Sequence, residues 1–210
     1  MLNKIKIYYL LIHMSNIGYL SICCGCMFSG KTSWLMQQYK KYKFINKSVV
    51  VVNFDQDKRY HNSLLSTHDK QMIPCLQSHL LKDVMNDLIN ADVILINEGQ
   101  FFQDLYDIVI DLVENNQKII HIAALDGDFQ RSVFGDVLKL FPRCDDYMKL
   151  HALCGSCKNG NKASFSHRIT LESSQVSIGS DNYIPLCRSC YERNKRMNTK
   201  SNVNIHEKTA

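Results

Sequence analysis

The sequence predicts an α/β fold, a mostly parallel sheet with helices on both faces, followed by a small cysteine-tied annex. Three observations carry that expectation. Short, wholly apolar runs such as Val49-Val-Val-Val52 and Val93-Ile-Leu-Ile96 suit strands buried on both faces, the environment of a parallel sheet. Helix-like stretches alternate with them, as crossovers between parallel strands require. The third observation is Gly25-Cys-Met-Phe-Ser-Gly-Lys-Thr32, a G-x-x-x-x-G-K-[ST] pattern between an apolar segment (residues 18–24) and a helix-like stretch from Thr32 to Phe44.

In that context the pattern is a phosphate-binding loop, and it makes the expected architecture a P-loop, RecA-like sheet. The backbone N–H groups of Gly25, Cys26, Met27, Phe28, Ser29 and Gly30 would form a nest for phosphate oxygens, aided by the N-terminus of the following helix. Lys31 would reach the β- and γ-phosphates, and the Thr32 hydroxyl would serve Mg²⁺. The motif therefore specifies a nucleoside triphosphate such as ATP, without fixing the reaction.

The remaining elements follow in order. Trp34, Leu35, Gln38, Tyr39 and Tyr42 recur at helical spacing and read as a core-facing stripe. The strand Val49–Val52 delivers Asn53 to Tyr60 to the carboxyl ends of the strands, where open α/β sheets bind ligands. A short strand over Ile73–Leu76, a helix over Leu80–Ile89, the strand ending in Asn97-Glu98, a helix over Asp104–Val113 and a strand over Lys118–Leu125 come next. Beyond Asp126 the pattern breaks up. P-loop enzymes place an acid at the end of a neighbouring apolar strand. Here that acid is Glu98, as metal ligand or general base, while Asn97 offers a carbonyl oxygen without charge.

Cys154-Gly-Ser-Cys157 and Cys187-Arg-Ser-Cys190 are two C-x-x-C knuckles separated by residues 158–186. Four thiolates so arranged suit a closed, structural Zn²⁺ site, with a redox dithiol pair as the alternative. The metal would anchor both ends of a polar loop able to close over a substrate. Cys23, Cys24 and Cys26 read as small packing residues, and Cys75 and Cys144 as isolated thiols. The expected division is an N-terminal extension (1–17), a nucleotide-binding domain (18–150), a zinc-anchored domain (151–191) and a tail (192–210).

Composition bounds the function. The chain has 210 residues, 45% of them hydrophobic, and a formal net charge of +5 spread along its length. That suits phosphate-bearing ligands, and it lacks the dense basic and aromatic face of a nucleic-acid surface. The apolar run Ile7–Ile12 behind Lys4 and Lys6 is far below the roughly 20 residues that span a bilayer, so no membrane partner is expected. Met14 is an alternative start. Nine cysteines, two pairs of them in metal-type spacing, point to a reducing, cytoplasmic setting.

Taken together, these residues resemble the type II thymidine kinases, particularly the poxvirus-type members. The match runs through Gly25–Thr32, Asp57-Lys-Arg-Tyr60, Thr67-His-Asp69, Asn97-Glu-Gly-Gln-Phe-Phe102, Ala123–Arg131, Phe134-Gly135, Ala163–Arg168, Tyr183 and Cys187–Tyr191, covering about residues 18–191. The resemblance implies transfer of the ATP γ-phosphoryl group to the 5′-hydroxyl of thymidine with Mg²⁺, Glu98 taking the proton. It implies phosphate-side roles for Asp57, Lys58, Arg59, Asn97 and Gln100. It implies an apolar thymine pocket of Met27, Phe101, Phe129, Phe134 and Tyr183, with a hydroxyl from Ser166. A zinc-anchored lasso, Gln175-Val176-Ser177-Ile178-Gly179 here, would read the base. It also implies a homotetramer with feedback by thymidine triphosphate. Asn97 stands where the family has aspartate, which implies a greater Mg²⁺ requirement and keeps open a nucleotide-binding regulator without turnover. A kinase for another nucleoside, such as deoxyuridine, is also compatible.

Overall fold

Six parallel strands set the frame of the molecule: β1 (Tyr19–Gly25), β2 (Val49–Phe54), β5 (Leu76–Ser78), β6 (Val93–Asn97), β7 (Ile119–Ala124) and β8 (Asp146–Leu150). Their order across the sheet is β5-β2-β6-β7-β1-β8. The computed structural model describes residues 17–55, 64–66, 71–170, 172, 174–176, 179 and 181–194. The expected extension up to residue 16 and the tail from residue 195 lie outside them.

Alternation along the strands explains why both faces are covered. Ile94, Ile96, Ile122 and Ile22 pack with Leu105, Val109 and Leu112 from α3 (Leu105–Ile110) and the π-helical turn Asp111–Asn115 that continues it. Val51, Val93, Leu95 and Ala123 meet Leu35 and Met36 of α1 (Lys31–Phe44) on the other face. Strands buried on both sides have no polar face, which is why they read as unbroken apolar runs. Truncating a side chain such as Leu35, fully buried here, to Ala would cost about 2–5 kcal/mol.

Several expected elements differ in detail. Residues 73–76 are not one strand: β4 (Met72–Pro74) forms an antiparallel hairpin with β3 (Leu64–Ser66), and only β5 joins the main sheet. The expected helix over 80–89 divides into a 3₁₀ turn, Leu81–Val84, and a short α2, Met85–Asn90. The carboxylate of Asp104 accepts the N–H groups of Leu81 and Lys82 and caps that turn from outside. After residue 126, where the pattern fades, a 3₁₀ segment (Val137–Arg143) leads to β8, an edge strand whose side chains are exposed or half-buried, so it carries no apolar run. Asp145 fixes the entry to β8 by accepting Leu20 N–H at 2.8 Å. Among the described residues no helix is long and apolar enough to cross a membrane.

His121 on β7 lies under α1, ringed by Tyr19, Trp34 and Tyr42 at centroid distances of 5.9, 5.7 and 5.4 Å. Its Nε2 is 3.0 Å from the Tyr42 hydroxyl, and its buried Nδ1 has no partner among the described residues. Burial is the chief reason its pKa falls from 6.5 to about 4, with Lys41 adding to the effect. The unfolded chain thus binds a proton near pH 6.5 that the folded chain refuses until about pH 4. Stability is therefore whole above pH 6.5 and is lost as pH falls through that window, by on the order of 3 kcal/mol. Denaturant unfolding at pH 7 and pH 4.5 checks this: His121→Phe should remove about 2–3 kcal/mol of the acid-dependent loss.

Candidate active site

The loop between β1 and α1 is shaped by two glycines. A Cβ on Gly25 would lie 2.4 Å from the Leu150 carbonyl oxygen, so only glycine lets β1 pass β8 there. Gly30 holds φ +89° and faces open space, a cradle rather than a packed turn. The first turn of α1 carries no acidic side chain, which leaves its N–H groups and dipole for an external anion. Lys31 is buried, its ammonium donating to the Cys26 carbonyl at 2.8 Å. The Ser29 hydroxyl is buried without a partner among the described residues. An open cradle, an orphan hydroxyl and a buried ammonium together fit a phosphate chain.

Amides line the neighbouring strand ends. Asn97, at the end of β6, donates through Nδ2 to Asn53 Oδ1 at 2.8 Å, and Asn53 Nδ2 donates to Gln77 Oε1 at 3.2 Å. Asn53 and Asn97 are each 2% exposed, so this pairing satisfies buried polar atoms without a charge. Glu98 follows in a left-handed conformation, φ 55° and ψ 42°, a geometry that costs a non-glycine residue about 1–3 kcal/mol and marks functional sites. Gln100 braces it: Nε2 donates to Glu98 Oε2 at 2.6 Å while Oε1 accepts Leu125 N–H at 2.9 Å.

The annex closes the other side. The sulfurs of Cys154, Cys157, Cys187 and Cys190 all lie within 4.8 Å of one another, a set that could hold a metal ion. Burial opposes ionisation of Cys154, but backbone hydrogen bonds around Cys157 and Cys187 outweigh it and bring this thiol down to about 6. Against this cluster pack Cys26, Ala163, Leu186 and Tyr191. The annex is bonded directly to the phosphate loop: Cys26 Sγ donates to the Ala163 carbonyl (3.3 Å) and Met27 N–H to Ser166 Oγ (3.0 Å). Burial pushes the Cys26 thiol up, which keeps it a donor. From the helical segment 188–194, Tyr191 donates to the Phe129 carbonyl at 2.6 Å.

One cavity of about 390 Å³ joins these parts. The loop residues Met27, Phe28, Ser29, Gly30, Lys31 and Thr32 line it, as do Asn97 and Glu98. So do Phe101, Phe129, Phe134 and Tyr183, together with Ser166, Gln175, Val176 and Gly179. Phe101 stacks on Phe54 at 5.0 Å and meets Phe134 edge-on at 5.3 Å. Gly25, Cys26 and Gln100 are not among the lining residues; they sit behind it and hold its wall. Asp57, Lys58, Arg59, Ser177 and Ile178 lie outside the described residues. The sequence placed Asn53 and Phe54 at the ligand-binding ends of the strands without naming them as site residues, and it missed Leu65 and Asp128 as lining residues. Asn53 and Phe54 end a buried strand, a positional signal that was available. Asp128 accepts the N–H groups of Gln130 and Ser132 and the Gln175 side chain, and only the fold reveals that junction.

A phosphate loop at the carboxyl ends of a parallel sheet, sharing its cavity with a strand-end carboxylate and an aromatic wall, defines a P-loop phosphotransferase. The family model described as thymidine kinase matches residues 18–191. The chain is 40% identical over 178 residues to a thymidine kinase of Yaba monkey tumor virus, covering 84% of this chain and 96% of that one. It is 41% identical over 175 residues to the sheeppox virus thymidine kinase, covering 83% and 97%. It is 37% identical over 175 residues to the cytosolic thymidine kinase of Cricetulus griseus, covering 83% and 73%. The chain belongs to the thymidine kinase family.

Because Cys26 and Met27 bond to the annex, the four-cysteine site and the phosphate loop should fail together. Cys187→Ser, or a chelator if the four cysteines hold a metal, should weaken ATP binding by at least about tenfold as the loop loses its partners. Calorimetric ATP titration beside metal analysis checks this, and unchanged ATP affinity in metal-free protein would contradict it.

Proposed function

We propose that this chain is an ATP-dependent thymidine kinase, with the continuity of phosphate loop, Glu98 and aromatic wall in one cavity as the observation that carries the reading. Membership of the family supports the same substrates. In this reading the ATP phosphates lie on the N–H groups of residues 28–31 and on Lys31, the Met27 N–H being given to Ser166, and the thymine ring lies among Phe101, Phe129, Phe134 and Tyr183, whose ring faces suit a planar base. The 5′-hydroxyl loses its proton to Glu98 as its oxygen bonds to the γ-phosphorus, the bond to the β–γ bridging oxygen breaks, and ADP leaves. Gln100 holds the carboxylate so that it is in reach of that proton.

Mg²⁺, when bound, supplies charge neutralisation across the phosphates, and the residues suited to hold it, through water, are Thr32 and Asn97. The four cysteines, whose sulfurs lie within 4.8 Å of one another, are the residues that would hold Zn²⁺, and as four protein ligands they would give it a structural part. Asp57, Lys58 and Arg59 on the phosphate side, residues 175–179 as a base-reading loop, the division near residue 150, a homotetramer, thymidine triphosphate feedback and a cytoplasmic location complete the proposal.

Steady-state phosphorylation of thymidine, with deoxycytidine and deoxyuridine as controls, tests the function. Glu98→Gln keeps size and hydrogen bonding but removes the base, so kcat should fall by about 10²–10⁴ while KM for ATP stays within about threefold. Near-normal turnover in Glu98→Gln would remove the assigned role, and thymidine inert in the unaltered chain would remove the function.

A further inference from the structure

Arg168 closes β11 (Phe165–Arg168), opposite Tyr183 at the start of β12 (Tyr183–Leu186) in the antiparallel register. It is 4% exposed. Its five N–H groups make five bonds. Nε and Nη2 donate to the Tyr183 hydroxyl at 3.2 and 2.6 Å. Nη1 donates to the carbonyls of Glu172 (3.0 Å) and Ser174, and Nη2 to that of Gln175 (3.0 Å). The guanidinium carbon also stands 3.9 Å from the centre of the Phe129 ring. Among the described residues no carboxylate forms an ion pair with it. Carbonyl dipoles and ring faces balance its charge instead.

No donor remains for a ligand, yet three of the groups Arg168 holds belong to the cavity. Phe129, Gln175 and Tyr183 line the cavity, and Gln175 is further tied to Asp128 Oδ2 at 2.9 Å and to the Val133 carbonyl at 3.1 Å. We propose that Arg168 is a positioning residue that sets nucleoside specificity, tying Phe129, Gln175 and Tyr183 into one frame without touching the nucleoside. This rests on the proposed function. The role needs a planar fork that bonds in its own plane while its face stacks. A lysine ammonium, with three donors at one point, cannot span three carbonyls and a hydroxyl, so the conservative exchange does not preserve it.

Arg168→Lys and Arg168→Met test it. Both should raise KM for thymidine by roughly 30-fold or more and shrink the preference for thymidine over deoxycytidine. kcat at saturation and KM for ATP should stay within about threefold, with metal content unchanged. A thymidine KM within threefold of wild type in either variant would overturn the proposal. So would loss of metal and ATP binding in both variants, which would make Arg168 a general structural residue. If the unaltered chain fails to turn thymidine over, the proposed function fails by itself. Calorimetric binding of thymidine and deoxycytidine to the same three proteins then reads the Arg168 frame alone, with equal affinities across them counting against it.

Discussion

The hydrogen bond from Met27 N–H to the Ser166 hydroxyl joins two parts of the chain 139 residues apart, and the site depends on it. A phosphate loop alone binds a polyphosphate; it has no means of placing a second substrate. By accepting a loop N–H on one side while lining the cavity on the other, Ser166 fixes the distance between the phosphate cradle and the annex. Cys26 repeats the bond one residue earlier, to Ala163. Both β10 (Lys162–Ala163) and β11 are short, and the two-stranded ladders they form are marginal on their own in water. The four-cysteine cluster packs against these strands, where a bound metal would make them a firm wall.

Buried polarity near the cavity follows a second rule. Where a strand end offers no charge, amides are chained to one another, as in Asn97, Asn53 and Gln77. Where a charge is present, it is held by groups chosen for direction. Gln100 braces Glu98 in its left-handed turn, and three carbonyls and a hydroxyl surround Arg168. The cost of a strained Glu98 backbone and a buried guanidinium is offset by hydrogen bonds that also fix geometry, which is the preorganisation phosphoryl transfer requires.

Much of the fold was legible in the sequence because parallel strands buried on both faces carry an unambiguous signal. Val49–Val52 and Val93–Ile96 were plain, and the loop at Gly25–Thr32 located the site. β8 was not legible, since an edge strand with exposed side chains has no run to detect. The hairpin β3/β4 and the 3₁₀ turn at Leu81–Val84 depend on contacts made in three dimensions, such as the Asp104 cap. Within the site, residue types and motifs announced Lys31, Glu98 and the four cysteines. The bracing residues were harder: Gln100 was assigned to the phosphates, whereas its side chain bonds Glu98 and Leu125, and Arg168 was part of a matching motif without a role. Such roles follow from where a side chain points in the folded site, and the residue type alone carries no trace of it.

Phosphate loop and aromatic wall line one cavity at fixed separation. The most direct measurement is calorimetric binding of a bisubstrate ligand, adenosine and thymidine joined 5′ to 5′ through a polyphosphate, compared with ATP and thymidine singly. A preformed joint site makes the second contact intramolecular, so the joined ligand should bind at least tenfold more tightly than the better single ligand. Affinity no greater than that of ATP alone would contradict the account, because the two ends of the cavity would then not be held for simultaneous occupation.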